Sequence, residues 1–320
     1  MLIYTLPAES FGGEFKRTDY NYQAFLQRVS AEARTRNMEE AERRIASGKY
    51  NSADIKKVLY KMGRDPDYVS SPHFDGVSEL CRRVKAGAAG FKALDIFYNW
   101  ENIYEPGLKE DAEGAVARLW IGSMENRQAV TNRKKIVSNE LTQAIQIVRD
   151  DTVRIFSLAG GDGQTIIKAI EKSGKRNIKV LLLDPDREAL RAAQKNAENA
   201  GLADLFIIKR GLASMAKRMA KDFQPHIFDV VGLLDYLDDN KVVEVVEIAK
   251  ESLCSGGTLI TCNIINNKER TFLENVLLWF MIYREPEEFG QLLLSGGFQE
   301  EKIKIILEPF RIHAIAVCQK

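Results

Sequence analysis

A glycine-rich turn, SLAGGDG at residues 157–163, follows the apolar run VRIF and precedes the helical pattern QTIIKAI. Such a turn places backbone N–H groups and a helix N-terminus at the carboxyl end of a strand, where open α/β sheets bind ligands. Gly161 and Gly163 permit positive φ and a close approach of a ligand to the backbone. Ala159 stands where a nucleotide-binding turn usually has its first glycine. A single glycine-rich turn is a weak signal, so other residues must identify the ligand.

The second strand pattern supplies a carboxylate at a suitable distance. It ends in LLLDPD, which places Asp184 21 residues after Gly163. A carboxylate at the end of this strand can accept hydrogen bonds from both hydroxyls of a ribose. Asp184 could instead cap the following helix, but Asp186 is better placed for capping. We therefore predict that Asp184 binds a ribose.

Strand and helix patterns alternate from residue 151 onward, which is typical of a parallel α/β sheet. Two last strand patterns, EKIKIIL and FRIHAIAV, are separated only by Glu308 and Pro309. They must form an antiparallel hairpin, because no crossover helix fits between them. Five parallel strands followed by a hairpin differ from a dinucleotide-dependent dehydrogenase, which would continue with a second mononucleotide half. Helical patterns cover residues 269–283 and 286–294.

The amino-terminal part of the chain lacks this alternation and reads as amphipathic helices. The stretch RDPDYVSSPHFDG at 64–76 has two prolines and several turn formers, which is typical of a linker. We predict a helical extension at 1–66, a helical cap or linker region at 67–150 and a ligand-binding α/β domain at 151–320.

The motifs IFSLAGGDG, LLLDPDREAL, FDVVGLLDYLDD and LCSGGTLITCNI, with the final hairpin, resemble the class I S-adenosylmethionine-dependent methyltransferases. The resemblance covers roughly residues 120–320 and implies a Rossmann-like methyltransferase sheet with S-adenosylmethionine as cofactor. In that family an acidic residue stands where this chain has Ser157. S-adenosylmethionine has no pyrophosphate, so Ala159 is easier to accept here than in a dehydrogenase. The cofactor-binding residues that the resemblance implies are Ser157, Ala159, Gly160, Gly161, Gly163, Asp184, Pro185, Gly211, Leu212, Gly232 and Leu233.

A narrower resemblance concerns GLLDYLDD, FLENVLLWFMIYREPEEF and ENRQAVTNRKKI. These stretches look like a bacterial branch that includes enzymes making methyl esters of hydroxy fatty acids. Trp279 and Tyr283, four residues apart, would share a helix face as an aromatic wall, and Arg284 or Arg133 would pair with a substrate carboxylate. A core-facing stripe is the alternative reading. The candidate substrate-binding residues are Arg133, Tyr236, Asn263, Trp279, Tyr283 and Arg284.

The reaction needs little from the protein, because methyl transfer from a sulfonium requires mainly positioning. A carboxylate acceptor needs no base, whereas a phenol or alcohol does. Three histidines are available: His73 in the predicted linker, His226 at the start of the fourth strand and His313 within a strand. Packing roles are favoured for His226 and His313, so no catalytic residue is assigned. We predict transfer to an oxygen of a small or lipid-like acceptor.

Composition limits the alternatives. Lys and Arg total 46 against 45 Asp and Glu, which gives no bulk basic excess for nucleic acid. Four scattered cysteines and the lack of a signal-peptide pattern favour the cytoplasm and argue against a zinc site, so no metal is expected. No membrane span is expected, and a homodimer is considered as the assembly. Three rival functions stay open: a dinucleotide oxidoreductase, an RNA methyltransferase, and a non-catalytic binding module that keeps the fold.

Overall fold

In the computed structural model, which describes residues 1–11, 18, 20–50 and 54–320, eight strands form one sheet in the order β1-β7-β8-β6-β5-β2-β3-β4. Neighbouring strands pair in parallel except at β6–β8 and β7–β8, which are antiparallel. The predicted α/β class, parallel strands and final hairpin are therefore confirmed. The strands are β1 (Leu2–Thr5), β2 (Val153–Leu158), β3 (Ile178–Asp184), β4 (Phe206–Arg210), β5 (Ile227–Val230), β6 (Thr258–Ile264), β7 (Ile303–Leu307) and β8 (His313–Gln319).

The amino-terminal strand β1 was not expected from the sequence. It pairs in parallel with β7, with Leu2 opposite Lys304 and Thr5 opposite Leu307. Four residues carry too short a pattern to be recognised, and their partner strand lies at the other end of the chain.

Helices cover both faces of the sheet, as the near-continuous apolar strands require. One face packs against α6 (Glu125–Ile147), α7 (Gln164–Ser173) and α8 (Arg187–Asn199) through residues such as Ile155 and Ile260. The other packs against α9 (Ala216–Phe223), α10 (Asp239–Ser252) and α12 (Pro286–Ser295) through residues such as Phe156 and Phe228. The remaining helices are α1 (Tyr20–Ala46), α2 (Ile55–Gly63), α3 (Glu79–Ala86), α4 (Phe91–Tyr98), α5 (Ala112–Ala117) and α11 (Arg270–Asn275).

The helix predicted over residues 269–283 is wrong in its second half. Helix α11 covers only Arg270–Asn275, and Leu278 adopts a left-handed backbone with φ of 50°. The apolar run after Asn275 is buried in an irregular path. Its hydrophobic residues imitate helical spacing, but burial on all sides removes the need for a helix period.

The chain divides into two compact units. One comprises Met1–Gly12, Asn132–Ile265 and Ile282–Lys320, and holds the sheet; the other comprises Gly13–Thr131 and Asn266–Met281. The boundary expected at 66/67 falls inside the second unit. There the predicted linker is a bonded loop, because the buried carboxylate of Asp75 accepts from the backbone N–H groups of Ser70 and Ser71 and lies 2.6 Å from the Lys85 ammonium.

Candidate functional site

The carboxyl ends of four adjacent parallel strands meet at one edge of the sheet, in the order β5-β2-β3-β4. Open α/β sheets bind ligands at this edge. All cofactor-binding candidates follow these four strand ends or belong to them. After β2 they are Ser157, Ala159, Gly160, Gly161 and Gly163; after β3, Asp184 and Pro185; after β4, Gly211 and Leu212; after β5, Gly232 and Leu233.

The glycine turn has a left-handed backbone at three positions. The φ angles are 55° at Ala159, 57° at Gly161 and 69° at Gly163. Ala159 takes this conformation despite its Cβ, and its N–H donates to the carbonyl of Leu183 at 2.8 Å. A left-handed alanine costs roughly 1–2 kcal/mol. The chain therefore keeps the turn that a glycine would form without strain.

The turn leaves open space at Gly161 and little at Gly160. A Cβ added to Gly161 would meet no atom within 4 Å, whereas one added to Gly160 would lie 2.6 Å from Ser157 Oγ. Gly161 therefore keeps free the space that a ligand needs, and Gly160 lets the turn lie directly on Ser157.

Asp184 ties the ends of β2 and β3 together. Its Oδ2 accepts from the Gly161 N–H at 3.0 Å, and its Oδ1 accepts from the Asp186 N–H at 2.8 Å. Burial raises the pKa of Asp184 above its usual value, against the lowering effect of these two N–H donors. A carboxylate has about four acceptor positions, so each oxygen can still accept a hydroxyl. Asp186 caps α8, as predicted, through the N–H groups of Glu188 and Ala189.

A row of polar side chains crosses the sheet beneath α6. Side chains alternate along strands, and Ser157, Asp229, Cys262 and His313 continue the face that carries Ile155, Ile227, Ile260 and Ile315. These four residues, called the polar row below, lie on the adjacent strands β2, β5, β6 and β8, and all are buried. Asp229, Cys262 and His313 lie within apolar strands. The sequence pattern therefore predicted a packing role for His313 and no role for the other two.

Ser157 and Asp229 form one pair within the polar row. The hydroxyl of Ser157 donates to Asp229 Oδ2 at 2.8 Å, and Asp229 Oδ1 has no hydrogen-bond partner among the described residues. Burial raises the pKa of Asp229 to about 6, and the Ser157 hydrogen bond opposes this rise. Ser157 is thus fully buried below the turn, with its hydroxyl already engaged.

Arg133 of α6 lies at the end of β5. Its Nη1 is 3.9 Å from Asp235 Oδ2 and 3.9 Å from Cys262 Sγ, and its Nη2 would lie 3.9 Å from a Cβ on Gly232. Both Arg133 and Asp235 are buried. Burial raises the pKa of Asp235, whereas the charge of Arg133 lowers it. The sequence predicted Arg133 as a site residue but not Asp235, because an aspartate in a loop rich in acidic residues carries no special signal.

Arg284 and Asn263, two substrate candidates, are engaged in the protein itself. Arg284 donates to Asn263 Oδ1 at 2.7 Å, to Asp239 Oδ1 at 2.8 Å and to two backbone carbonyls after β5. Asn263 Nδ2 in turn donates to the carbonyls of Ile264 and Ile282. Both side chains are buried, so they brace the loop after β5.

The aromatic candidates do not share a helix, so the predicted wall on one helix face is wrong. Trp279 lies in the second compact unit, which does not hold the sheet. Its ring stacks on that of Phe97, with the ring centroids 6.1 Å apart. Tyr283 is half-buried in the sheet-containing unit. Tyr236 follows β5 in a short 3-10 turn and is 36% exposed, which leaves it accessible near Gly232.

The histidines occupy different environments. His226 accepts from the Arg154 N–H and lies 2.8 Å from Asp150 at the amino end of the strands, as its predicted structural role requires. His73 is exposed near Glu32. His313 is buried, and both ring nitrogens lack hydrogen-bond partners among the described residues. Burial and the charge of Arg133 lower its pKa well below the usual value.

Two absences apply to the residues that the structure describes. Within them, no group of three or more histidine, cysteine, aspartate or glutamate side chains is placed to hold a metal ion. None of the helices in the described ranges is long and apolar enough to cross a membrane.

Comparison with known proteins identifies the family. Residues 14–320 match the family model described as "Putative methyltransferase". No curated protein matches the chain. A possible exported protein from Bordetella parapertussis shares the fold over the whole length, with a TM-score of 0.64, 15% identity and coverage of 98% of this chain and 99% of that one.

Two further solved structures are methyltransferases. An O-methyltransferase family protein from Burkholderia thailandensis has 13% identity and a TM-score of 0.45, with 72% of this chain and 70% of that chain covered. Human N-acetylserotonin methyltransferase in complex with S-adenosylmethionine has 13% identity and a TM-score of 0.42, with 75% and 67% covered. The family match spans nearly the whole chain, and the glycine turn, Asp184 and the strand order agree with it: the chain belongs to this methyltransferase family, and its cofactor is S-adenosylmethionine.

Proposed function

We propose that this protein transfers the methyl group of S-adenosylmethionine to an oxygen of a small or lipid-like acceptor that carries a carboxylate. The observation that supports this acceptor class best is the buried guanidinium of Arg133, which lies beside Gly232 at the carboxyl end of β5. Arginine pairs with carboxylates through two parallel hydrogen bonds, and burial strengthens such a pair.

The residues at the sheet edge fit the cofactor. Gly161 leaves open space above the turn, and Asp184 keeps acceptor capacity on both oxygens for ribose hydroxyls. Leu212, 63% exposed after β4, offers an apolar surface of the kind that an adenine ring packs against. We propose that Asp184 binds the ribose and that Leu212 packs against the adenine. The open space at Gly161 then receives the part of the cofactor that faces the turn.

When bound, S-adenosylmethionine supplies an electrophilic methyl group on a sulfonium. The protein contributes by holding the acceptor oxygen in line with that group, which is mainly a matter of orientation. Gly232 lacks a Cβ and has φ of 88°, so the loop after β5 can approach the reacting groups closely. Arg284 holds this loop in place, because it donates to the carbonyl of Leu234 and to Oδ1 of Asn263.

A carboxylate oxygen suits the titratable groups at this edge. It is already deprotonated at neutral pH, so no side chain has to remove a proton. His313, the histidine at this end of the sheet, has both ring nitrogens buried. Asp235 already accepts from the Ile264 N–H at 2.7 Å and faces Arg133. These positions favour ester formation over methylation of a phenol or alcohol.

The test is a turnover assay that measures S-adenosylhomocysteine formation with candidate acceptors. Carboxylic acids of increasing chain length form the first set, and the corresponding alcohols, which keep the chain but lose the carboxylate, form the matched control set. Turnover with acids and none with alcohols supports the proposal. Turnover with the alcohols alone, or with RNA in a salt-dependent manner, would replace it.

The cellular location is part of the proposal. All four cysteines are free thiols, and Cys81, Cys262 and Cys318 are buried. Unpaired cysteines are typical of a reducing compartment, which supports the cytoplasm.

A further inference from the structure

We propose that Asp229, held by Ser157, binds the amino group of the cofactor's methionine in place of the acidic residue that the family has at position 157. The proposal rests on the cofactor assignment and goes beyond it, because it moves a binding role from one strand to its neighbour. Its basis is the pairing of the two strands: Ser157 of β2 lies directly opposite Asp229 of β5.

The pair lies immediately beneath the glycine turn. A Cβ on Gly160 would lie 2.6 Å from Ser157 Oγ, so the backbone of Gly160 packs directly against this hydroxyl. Ser157 Oγ donates to Asp229 Oδ2 at 2.8 Å and fixes the carboxylate on the same face of the sheet. The missing carboxylate of position 157 is therefore present one strand away, at the same level of the sheet.

Asp229 is poorly satisfied in the protein alone. It is 6% exposed, and its Oδ1 has no hydrogen-bond partner in the described part of the chain. Buried carboxylate oxygens are normally hydrogen-bonded, and an isolated one is costly. An ammonium group carries both the hydrogens and the positive charge that this oxygen lacks. A purely structural carboxylate would instead be expected to have both oxygens bonded, as Glu308 does with the N–H groups of Phe310 and Ile312.

Asp229 is the one carboxylate of the polar row. Next along the polar row is Cys262, and Nη1 of Arg133 in α6 lies 3.9 Å from its sulfur and 3.9 Å from Asp235 Oδ2. His313 completes the row and is held neutral by burial and by Arg133. Within the row, Asp229 is therefore the one group whose negative charge matches an ammonium.

The experiment compares two ligands by calorimetry. S-adenosylhomocysteine carries the amino acid group, whereas 5′-methylthioadenosine has the same nucleoside and sulfur without it. Replacing Asp229 by asparagine keeps the size and the Ser157 hydrogen bond but removes the charge. We expect Asp229→Asn to weaken S-adenosylhomocysteine about tenfold or more and to leave 5′-methylthioadenosine within about twofold, as loss of one charge-assisted hydrogen bond predicts.

A double variant tests whether the carboxylate can be exchanged between Asp229 and Ser157. The double variant Ser157→Asp/Asp229→Ser puts the carboxylate on β2 and the hydroxyl on β5, and we expect it to bind S-adenosylhomocysteine within about threefold of the natural protein, because the pair is retained. If Asp229→Asn does not fold, this double variant and Ser157→Ala still test the proposal. Ser157→Ala keeps the charge but loses its anchor, so we expect an intermediate loss for S-adenosylhomocysteine alone.

The outcomes separate the proposals. An equal loss of both ligands in folded Asp229→Asn would make Asp229 a structural support of the turn, and an unchanged affinity for both would place the amino group elsewhere; either result overturns the inference. If the natural protein binds neither ligand, the cofactor assignment itself fails. Affinity of the natural protein for S-adenosylhomocysteine should also fall between about pH 7.5 and 5.5 as Asp229 gains a proton, with no such change in Asp229→Asn.

Discussion

Arg284 and Asn263 bind each other: the guanidinium Nη1 donates to the amide Oδ1 at 2.7 Å, and both side chains are buried. Two residues whose positions suggested an acceptor pocket therefore serve as a brace between β6 and the loop after β5. The loop carries Gly232 and Tyr236, so we expect the brace to act on the proposed acceptor site through the position of the backbone.

The brace predicts a stability defect. Arg284→Gln removes hydrogen bonds to Asn263, Asp239 and two carbonyls, and leaves buried acceptors unpaired. We expect the free energy of unfolding to fall by about 1–3 kcal/mol for each buried acceptor that is left unpaired. Urea denaturation measures this, with the exposed Arg218→Gln of α9 as the matched control. A loss no larger than that of the control would contradict the brace.

The glycine turn gives two predictions, one for cofactor binding and one for stability. Gly161→Val should abolish cofactor binding in a folded protein, because a β-branched residue resists φ of 57° and fills the open space. Ala159→Gly should raise the free energy of unfolding by up to about 1 kcal/mol through relief of its left-handed strain, partly offset by the flexibility of glycine. Calorimetry with S-adenosylhomocysteine and thermal unfolding give the two readouts. Normal binding by Gly161→Val would place the cofactor elsewhere.

Asp184 should contribute to affinity directly. In Asp184→Ala the ribose hydroxyls lose a charged acceptor and the Gly161 N–H loses its partner. We expect S-adenosylhomocysteine to bind more weakly by about 1.5–3 kcal/mol. The control is Asp186→Ala, which removes the cap of α8 and should reduce stability instead. Equal affinity in folded Asp184→Ala would remove this residue from the site.

Arg133 and Tyr283 should act on the acceptor rather than on the cofactor. We expect Arg133→Ala and Tyr283→Ala to lower turnover on the acceptor and to leave S-adenosylhomocysteine affinity within about threefold, which is below 1 kcal/mol. A large loss of cofactor affinity in Arg133→Ala would assign the guanidinium to the methionine carboxylate. Full activity in both variants would contradict the acceptor site.

Asp229 should give the ligand-free protein a characteristic pH dependence. Its pKa is raised by burial to about 6, so the folded state binds a proton more tightly than the unfolded state. Stability therefore falls as the pH rises through the interval up to 6, by at most about 1.4 kcal/mol per unit of pH. Urea denaturation of the natural protein and of Asp229→Asn across this interval isolates the effect, since the other carboxyl groups are common to both. Parallel curves for the two proteins would contradict the raised pKa.

The sequence predicted the sheet well because each strand there is a short apolar run bounded by turn residues, and these patterns reflect local burial. It predicted the turn at 159–163 and Asp184 for the same reason, since their spacing along the chain follows from the βαβ unit. The cofactor side of the site thus depends mainly on local order.

The rest of the site depends on contacts between distant elements, which spacing does not reveal. Asp229 and Cys262 sit within apolar strands, and their proximity to Ser157 and Arg133 follows from strand order alone. The stretch around Trp279 imitates a helix because its residues are buried on several sides. The contacts of Arg284 and Asn263 could not be predicted either, because a buried polar residue can satisfy a partner in the protein as readily as a ligand.

The pairing of β1 with β7 has a consequence for folding. Residues 2–5 pair with residues 304–307, which are distant from them in the sequence. Contacts so far apart in sequence form slowly, so we expect these backbone hydrogen bonds to form late in folding. Until they form, β7 is an unpaired edge of the sheet, and loss of β1 exposes the same edge to pairing with other chains.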